Sequence, residues 1–203
     1  TDKHSGLFGA AIANPIMALT QLLSSMKNLD GEITVDGFYD DVVPLSDNDK
    51  AEIARVPFDE KEYLKLTGAV GLDGEAGYTA PERIGGRPTL DINGIWGGYQ
   101  GVGTKTVLPA KANAKITCRL VANQKPKEIL KKIEKHVNDF LPNGVIGTVI
   151  PLQDEGDPLL IPENHRSTEV ARDVLKKVYG KEPYMIRVGG SIPILSAFYK
   201  YLG

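Results

Sequence analysis

Four groups of residues have side chains that could take part in chemistry. His4 stands directly before Ser5 and Gly6, where an imidazole can hold or release a proton near neutral pH. Gly98 and Gly103 bracket four residues and are followed by Thr104, Lys105 and Thr106, which approximates a phosphate-binding loop. Arg119 carries a planar fork that can grip a carboxylate through two parallel bonds. Ser191 follows Gly189 and Gly190 and precedes Ile192 and Pro193, a hydroxyl at a glycine turn before a helix start.

Each group has a plainer alternative. In a phosphate loop the second glycine runs straight into Lys and Ser/Thr at the start of a helix, whereas here Thr104 intervenes. Val107, Leu108 and Pro109 then lead into an alternating stretch, which is a strand pattern, so nucleotide binding is set aside. His4, His136 and His165 have no metal-ligand spacing among themselves. His136 lies beside Lys135 and is expected on a solvated helix face, and His165 near a helix start is expected to be a surface residue. Arg119 could instead pair with a neighbouring carboxylate. Ser191 lacks the Gly-x-Ser-x-Gly elbow and a nearby histidine, so capping or anion binding suits it better than nucleophilic attack. No constellation in the chain is catalytic by itself.

Composition narrows the field further. The chain has 203 residues, 41% hydrophobic and 25% charged, with a net charge of -2 and pI near 5.9. A nucleic-acid binder would show a basic balance, and this chain does not. No apolar run reaches the length of a membrane-spanning helix. The single Cys118 cannot close an internal disulfide, which points to a reducing, cytoplasmic setting. Opening on Thr1 and stopping after an apolar helical stretch, the chain is expected to be a piece of a longer protein.

The elements that must position these side chains follow from periodicity. Asn14 and Pro15 start a helix, with Ile16, Leu19, Leu23 and Met26 as its buried stripe. From about 30 to 86 the pattern dissolves into an insertion with one short helix near 49–56. Leu90 and Ile92 then alternate with Asp91 and Asn93. The cleanest strand puts Ala112, Ala114, Ile116, Cys118 and Leu120 on one side and Arg119 on the wetter side. Pro126 opens a helix with the stripe Ile129, Leu130, Ile133, Val137 and Phe140, and a strand is expected over 145–150. With a first strand over 5–10, the order β-α-insertion-β-β-α-β predicts an α+β fold of the ferredoxin-like kind, an antiparallel sheet with two helices on one face. Residues 151–203 read as a truncated α/β piece: a linker, a helix over 167–179 closed by Gly180, a short strand over 184–188, the Gly189-Gly190-Ser191 turn, and a last helix from Pro193.

Six short motifs occur in one order along the chain: Asp2-x-His4-Ser5-Gly6-Leu7-Phe8-Gly9; Ala13-Asn14-Pro15; Arg87-Pro88-Thr89-Leu90; Gly103-Thr104-Lys105-Thr106-Val107-Leu108-Pro109; Arg119-Leu120-Val121; and Gly189-Gly190-Ser191-Ile192-Pro193. Together they resemble the two-zinc exopeptidase family, which includes carnosine-type and cysteinylglycine dipeptidases, carboxypeptidase G, acetylornithine deacetylase and succinyl-diaminopimelate desuccinylase, with the dipeptidase branch the nearest in flavour.

The resemblance implies a catalytic α/β domain interrupted by a ferredoxin-like lid, or dimerisation, domain. Residues 1–150 would be the lid and 151–203 a return into the catalytic domain. Two metal ions, zinc with manganese or cobalt as alternatives, and a glutamate base would be held outside this chain, leaving no metal ligand within it. In that family a metal-bridged water attacks the amide carbonyl, and a donor must meet the oxyanion that forms. The resemblance gives that task to His4, acting on the partner subunit's site, and makes Thr106 a substrate contact in trans. It assigns the substrate's free carboxylate to Arg119 and to Ser191 with Gly190. Relatives in the dipeptidase branch carry histidine near Asp154, so Asp154 would contact a different substrate group. A small peptide substrate and a homodimer are implied, with no nucleic acid and no membrane. The fragment alone would be inactive. A non-catalytic dimerisation or ligand-sensing module, or a deacylase of the same family, stands as the alternative.

Overall fold

A computed structural model of the chain describes residues 1–152, 156–161, 165–188 and 192–202. In chain order its elements are β1 (Lys3–His4), α1 (Ser5–Phe8), α2 (Pro15–Ser24), α3 (Asp47–Arg55), α4 (Glu60–Thr67), α5 (Ala80–Gly86), β2 (Thr89–Gly97), β3 (Val107–Leu108), β4 (Ala112–Arg119), α6 (Pro126–Phe140), α7 (Arg166–Tyr179) and α8 (Pro193–Leu202). They group into two compact units. One comprises Thr1–Asp40, Thr89–Arg119 and Pro126–Asp154; the other comprises Asp41–Pro88, Leu120–Lys125 and Glu155–Gly203.

The first unit is α+β with antiparallel pairing, the class expected from the pattern. β1 pairs with β3, and β2 with β4. Along β4, Lys115, Thr117 and Arg119 are exposed while Ala114, Ile116 and Cys118 are half-buried, so the period-two pattern maps onto the two faces. Burial, with Asp91 adding to it, pushes the Cys118 thiol up to about 12, which leaves it protonated and inert at neutral pH. A bulge at Asn93 interrupts the β2–β4 register between Ile92 and Gly94. At the end of β2, Gly97 lies so close to β4 that a Cβ there would sit 2.9 Å from the Lys111 carbonyl oxygen, and its φ of 153° suits glycine alone.

Asn14 caps α2 as its sequence suggests, its Oδ1 accepting from the Ile16 N–H at 2.9 Å with Pro15 in the first turn. The helix packs on β4 and buries Ala18, Leu22 and Leu23, with Met26 beyond its end. Ile16 and Leu19 are only half-buried, so the stripe is rotated from the one expected. Residues 31–40, expected to run over the surface, instead fold back under the helices and bury Ile33, Val35 and Phe38. Lys132 of α6 fastens that turn, its Nζ donating to the Gly37 carbonyl at 2.6 Å and pairing with Asp40 at 3.3 Å.

The second unit is largely helical. Of its helices, α3, α4 and α5 were legible as one short helix only, although each has a cap written in the sequence. Ser46 with Asp49 and Thr79 with Glu82 form capping boxes, and Asp59 caps α4. Arg87 grips Glu75 with two bonds, at 2.8 and 2.5 Å, and lies over the Tyr78 ring. Arg187 pairs with Asp49 of α3. Burial pushes the Asp49 carboxyl up, but bonds from the Ser46 N–H and hydroxyl and the Arg187 charge outweigh it, holding it below its ordinary value.

Three expected strands differ. The first begins earlier, at Lys3–His4, because Ser5–Phe8 turns into a helix capped by the His4 ring. Residues 145–150 form no strand; Ile146 and Ile150 are 98% and 75% exposed, and a strand pattern has nothing to hold it without a partner edge. Residues 184–188 are extended without ladder pairing and are tied down by side chains, Arg187 to Asp49 and Tyr184 under Arg55. The Gly180 stop after α7 is as expected, in the left-handed conformation.

His136 requires a correction: it is 3% exposed, not solvated. It stands beside Val137 on the buried face of α6, and its ring stacks at 4.2 Å on Phe140, which is 53% exposed rather than part of the buried stripe as expected. Ser25, at the end of α2, spends its one proton on the Leu22 carbonyl at 2.7 Å, so its 2.9 Å contact to His136 Nε2 has the imidazole as donor. This bond ties α6 to the end of α2. Burial pushes the His136 pKa down, with Asp139 opposing and Lys135 assisting.

Two outcomes follow. The unfolded chain binds a proton at His136 as pH falls below about 6.5 while the folded chain resists it, so stability is full above that value and is lost below it. Melting temperature measured from about pH 7.5 to 5.5 should fall more steeply for the wild type than for His136→Gln, which keeps a donor but does not titrate. A double-mutant cycle on Asp49→Ala and Arg187→Ala, whose side chains are 13% and 27% exposed, should give a coupling of about 1 kcal/mol by denaturant unfolding. That coupling should fade as acid neutralises Asp49.

Candidate functional site

The candidate site is built by a short antiparallel ladder. β1 and β3 pair over two residues, Lys3 with Leu108 and His4 with Val107, and the Ser5 N–H donates to the Thr106 carbonyl at 3.1 Å. This places the His4 and Thr106 side chains together across 102 positions of sequence, with His4 Nε2 3.2 Å from Thr106 Oγ1. Both residues are exposed. Neither group is spent on the core.

The other ring nitrogen is already committed. His4 Nδ1 accepts from the Gly6 backbone N–H at 3.1 Å, capping the short turn α1. An accepting Nδ1 carries no proton in the neutral ring, so the proton sits on Nε2, and Nε2 donates to Thr106 Oγ1. The Thr106 hydroxyl keeps its own proton for a further acceptor. Gly6 has a steric part as well, since a Cβ there would stand 2.9 Å from His4 Cε1. The result is an exposed imidazole N–H beside a hydroxyl, an array that can donate to an oxygen anion without first taking up a proton.

The glycine loop that leads to Thr106 has internal bonds of its own. The Tyr99 hydroxyl donates to the Val102 carbonyl at 3.0 Å, and Lys105 Nζ lies 5.7 Å from the Tyr99 ring centroid. β3 follows it rather than a helix, so no helix N-terminus faces the loop from its own chain direction. Arg119 closes β4 opposite Thr89, exposed, and forms no ion pair among the described residues, so its fork is unspent there. His165 caps α7, with Nδ1 2.7 Å from the Ser167 hydroxyl. Asp154, Gly190 and Ser191 lie outside the described residues. Among the described residues, no three His, Cys, Asp or Glu side chains are grouped to hold a metal ion. Two contributors were missed from sequence: Gly6 as an imidazole rest, and Asp2, whose Oδ1 accepts from the Ala110 N–H at 2.8 Å. The run Asp2-x-His4-Ser5-Gly6 was their visible signal.

Comparison with known proteins gives the chain its relatives. The chain is 30% identical over 199 residues to the human Beta-Ala-His dipeptidase, covering 97% of this chain and 39% of that protein. It is 32% identical over 206 residues to the Cys-Gly metallodipeptidase DUG1 of Saccharomyces cerevisiae, covering 97% and 41%. Among solved structures, an M20 family metallo-carboxypeptidase from Sulfolobus solfataricus superposes with a TM-score of 0.84 at 29% identity, over 98% of this chain and 51% of that one. Human carnosine dipeptidase 1 superposes with a TM-score of 0.80 at 29% identity, over 98% and 43%. The chain therefore spans about two fifths of the length of these dipeptidases. Residues 1–145 match the family described as Peptidase dimerisation domain, which takes in β1, β3 and the His4–Thr106 contact, and the chain belongs to that M20 family.

Proposed function

We propose that this chain is the lid-bearing part of a metal-dependent dipeptidase that cleaves an amide next to a free carboxylate, with His4 and Thr106 reaching the substrate of a partner subunit. The observation that carries this is the exposed His4–Thr106 pair, an imidazole donor set beside a hydroxyl by strand pairing and turned away from the core. The dipeptidase names of the relatives support the substrate class. On this assignment residues 1–150 form the lid and 151–203 the start of the returning catalytic domain, a division close to where the family match ends.

The residues divide the work by their chemistry. His4 Nε2–H meets the oxygen on which negative charge develops, and a preorganised donor of this kind contributes ~3 kcal/mol to lowering the barrier. Thr106 holds the imidazole in the free lid and gives its own proton to the substrate. Arg119, unpaired among the described residues, takes the terminal carboxylate through its fork, with Ser191 and Gly190 completing that grip. Asp154 contacts another substrate group, an amine being the complement of its charge. The metal ions, zinc or manganese or cobalt, and the glutamate base belong to the part of the protein outside this chain, so the 203 residues alone are inactive. The whole enzyme is a homodimer that works in a reducing cytoplasm, in keeping with the lone Cys118, and no helix among the described residues is long and apolar enough to cross a membrane.

In the intact protein, His4→Ala should lower kcat by about a hundredfold with bound metal unchanged. Mixing His4→Ala subunits with subunits lacking the metal ligands should restore part of the rate, because one hybrid site would be complete. No recovery on mixing rejects the trans role. Flanking sequence without a metal-ligand set would point to a non-catalytic dimerisation module, and preference for N-acyl amino acids over dipeptides to a deacylase.

A further inference from the structure

We propose that Asp2 is a positioning residue for His4: its carboxylate clamps the Ala110 N–H and so fixes the register of the strand that carries the imidazole. The inference rests on the function proposed for His4 and extends it to a residue outside the donor pair.

A ladder of two residue pairs is weakly specified, and a slip of one residue along it turns every side chain to the opposite face. Such a slip would take His4 away from Thr106. At one end the ladder is closed by backbone, the Ser5 N–H donating to the Thr106 carbonyl at 3.1 Å. At the other end β3 runs into Pro109, which has no N–H to give, so backbone pairing cannot continue there. The next donor along the chain is Ala110, and it points at the Asp2 side chain, with Oδ1 accepting at 2.8 Å. A carboxylate thus replaces the missing rung. Asp2 and Ser5 grip β3 on either side of the two paired residues, and His4 lies between them.

The clamp works with a second contact. Gly6 N–H holds His4 Nδ1 at 3.1 Å and the absence of a Cβ at Gly6 leaves room for the ring. Gly6 therefore fixes the ring's rotation and its proton on Nε2, while Asp2 fixes the strand on which the ring stands. Neither touches the substrate. Misplacement of a catalytic donor by about 1 Å can cost a hundredfold in rate, so a residue that only sets register acts on turnover.

The test uses Asp2→Ala and Asp2→Asn, the second keeping an oxygen that can accept from Ala110 without the charge. In the 203-residue chain, amide hydrogen exchange at Ala110 should rise about tenfold in Asp2→Ala and stay near wild type in Asp2→Asn. The His4 imidazole 15N shifts should show an accepting Nδ1 throughout, with the Nε2–H bond to Thr106 kept in wild type and Asp2→Asn and averaged with solvent in Asp2→Ala. In the intact enzyme, Asp2→Ala should lower kcat about tenfold or more with KM within about twofold, and Asp2→Asn should recover most of it. Equal Ala110 exchange in wild type and Asp2→Ala overturns the clamp, and a loosened ladder with unchanged kcat overturns its positioning role in turnover. The exchange and 15N measurements need no turnover, so they decide the clamp even where the intact protein proves not to be a peptidase. Should His4→Ala abolish turnover while the Asp2 variants leave exchange and rate alone, the donor role stands and the clamp falls.

Discussion

The pairing of β1 with β3 is the constraint on which the candidate site depends. It closes a loop of 102 positions to make two residue pairs, a large entropic cost for a small ladder. Backbone hydrogen bonds of that number do not offset such closure by themselves. The rest of the unit supplies the difference through the longer β2–β4 ladder, the packing of α2 on β4, and the buried cluster of Leu22, Leu23, Met26, Phe38, Ile129 and Val137. With those in place, the short ladder needs only to be held in register.

His4 and His136 show how one side chain is put to opposite uses. Both rings donate from Nε2 to a hydroxyl, to Thr106 at 3.2 Å and to Ser25 at 2.9 Å. His136 does so with 3% exposure between two helices, where the neutral ring is favoured and the bond holds structure together. His4 does so at the surface, where the bond can be exchanged for one to a ligand at little cost. Accessibility separates a structural imidazole from one available to chemistry.

On the function proposed above, the antiparallel unit supplies donors while the metal ligands lie elsewhere in a longer protein, and this chain spans about two fifths of its dipeptidase relatives. Peptide hydrolysis of this kind divides between generating a nucleophile and stabilising the charge that its attack creates. On the function proposed above, the groups displayed here, an imidazole N–H, a hydroxyl and a guanidinium free of ion pairs among the described residues, would serve the second task.

Features set by neighbours a few residues away were legible in the sequence. The Asn14-Pro15 helix start, the Gly180 stop, the alternation of β4 and the amphipathic face of α6 all depend on bonds and contacts within a turn or along one strand. The capping boxes at Ser46 and Thr79 were equally local and went unread. The six ordered motifs likewise pointed to the family before any coordinate. Partners distant in sequence were not legible. The strand expected at 145–150 has the right pattern but no edge to join, the turn at 31–40 buries Ile33, Val35 and Phe38 and is fastened by Lys132 of α6, and His136 is dry because α2 ends beside it. Residue types and local periodicity settled which elements form and which side chains could donate or grip. Only folding decided that His4 meets Thr106 and that Asp2 meets Ala110, because strand register and loop closure join residues more than a hundred positions apart.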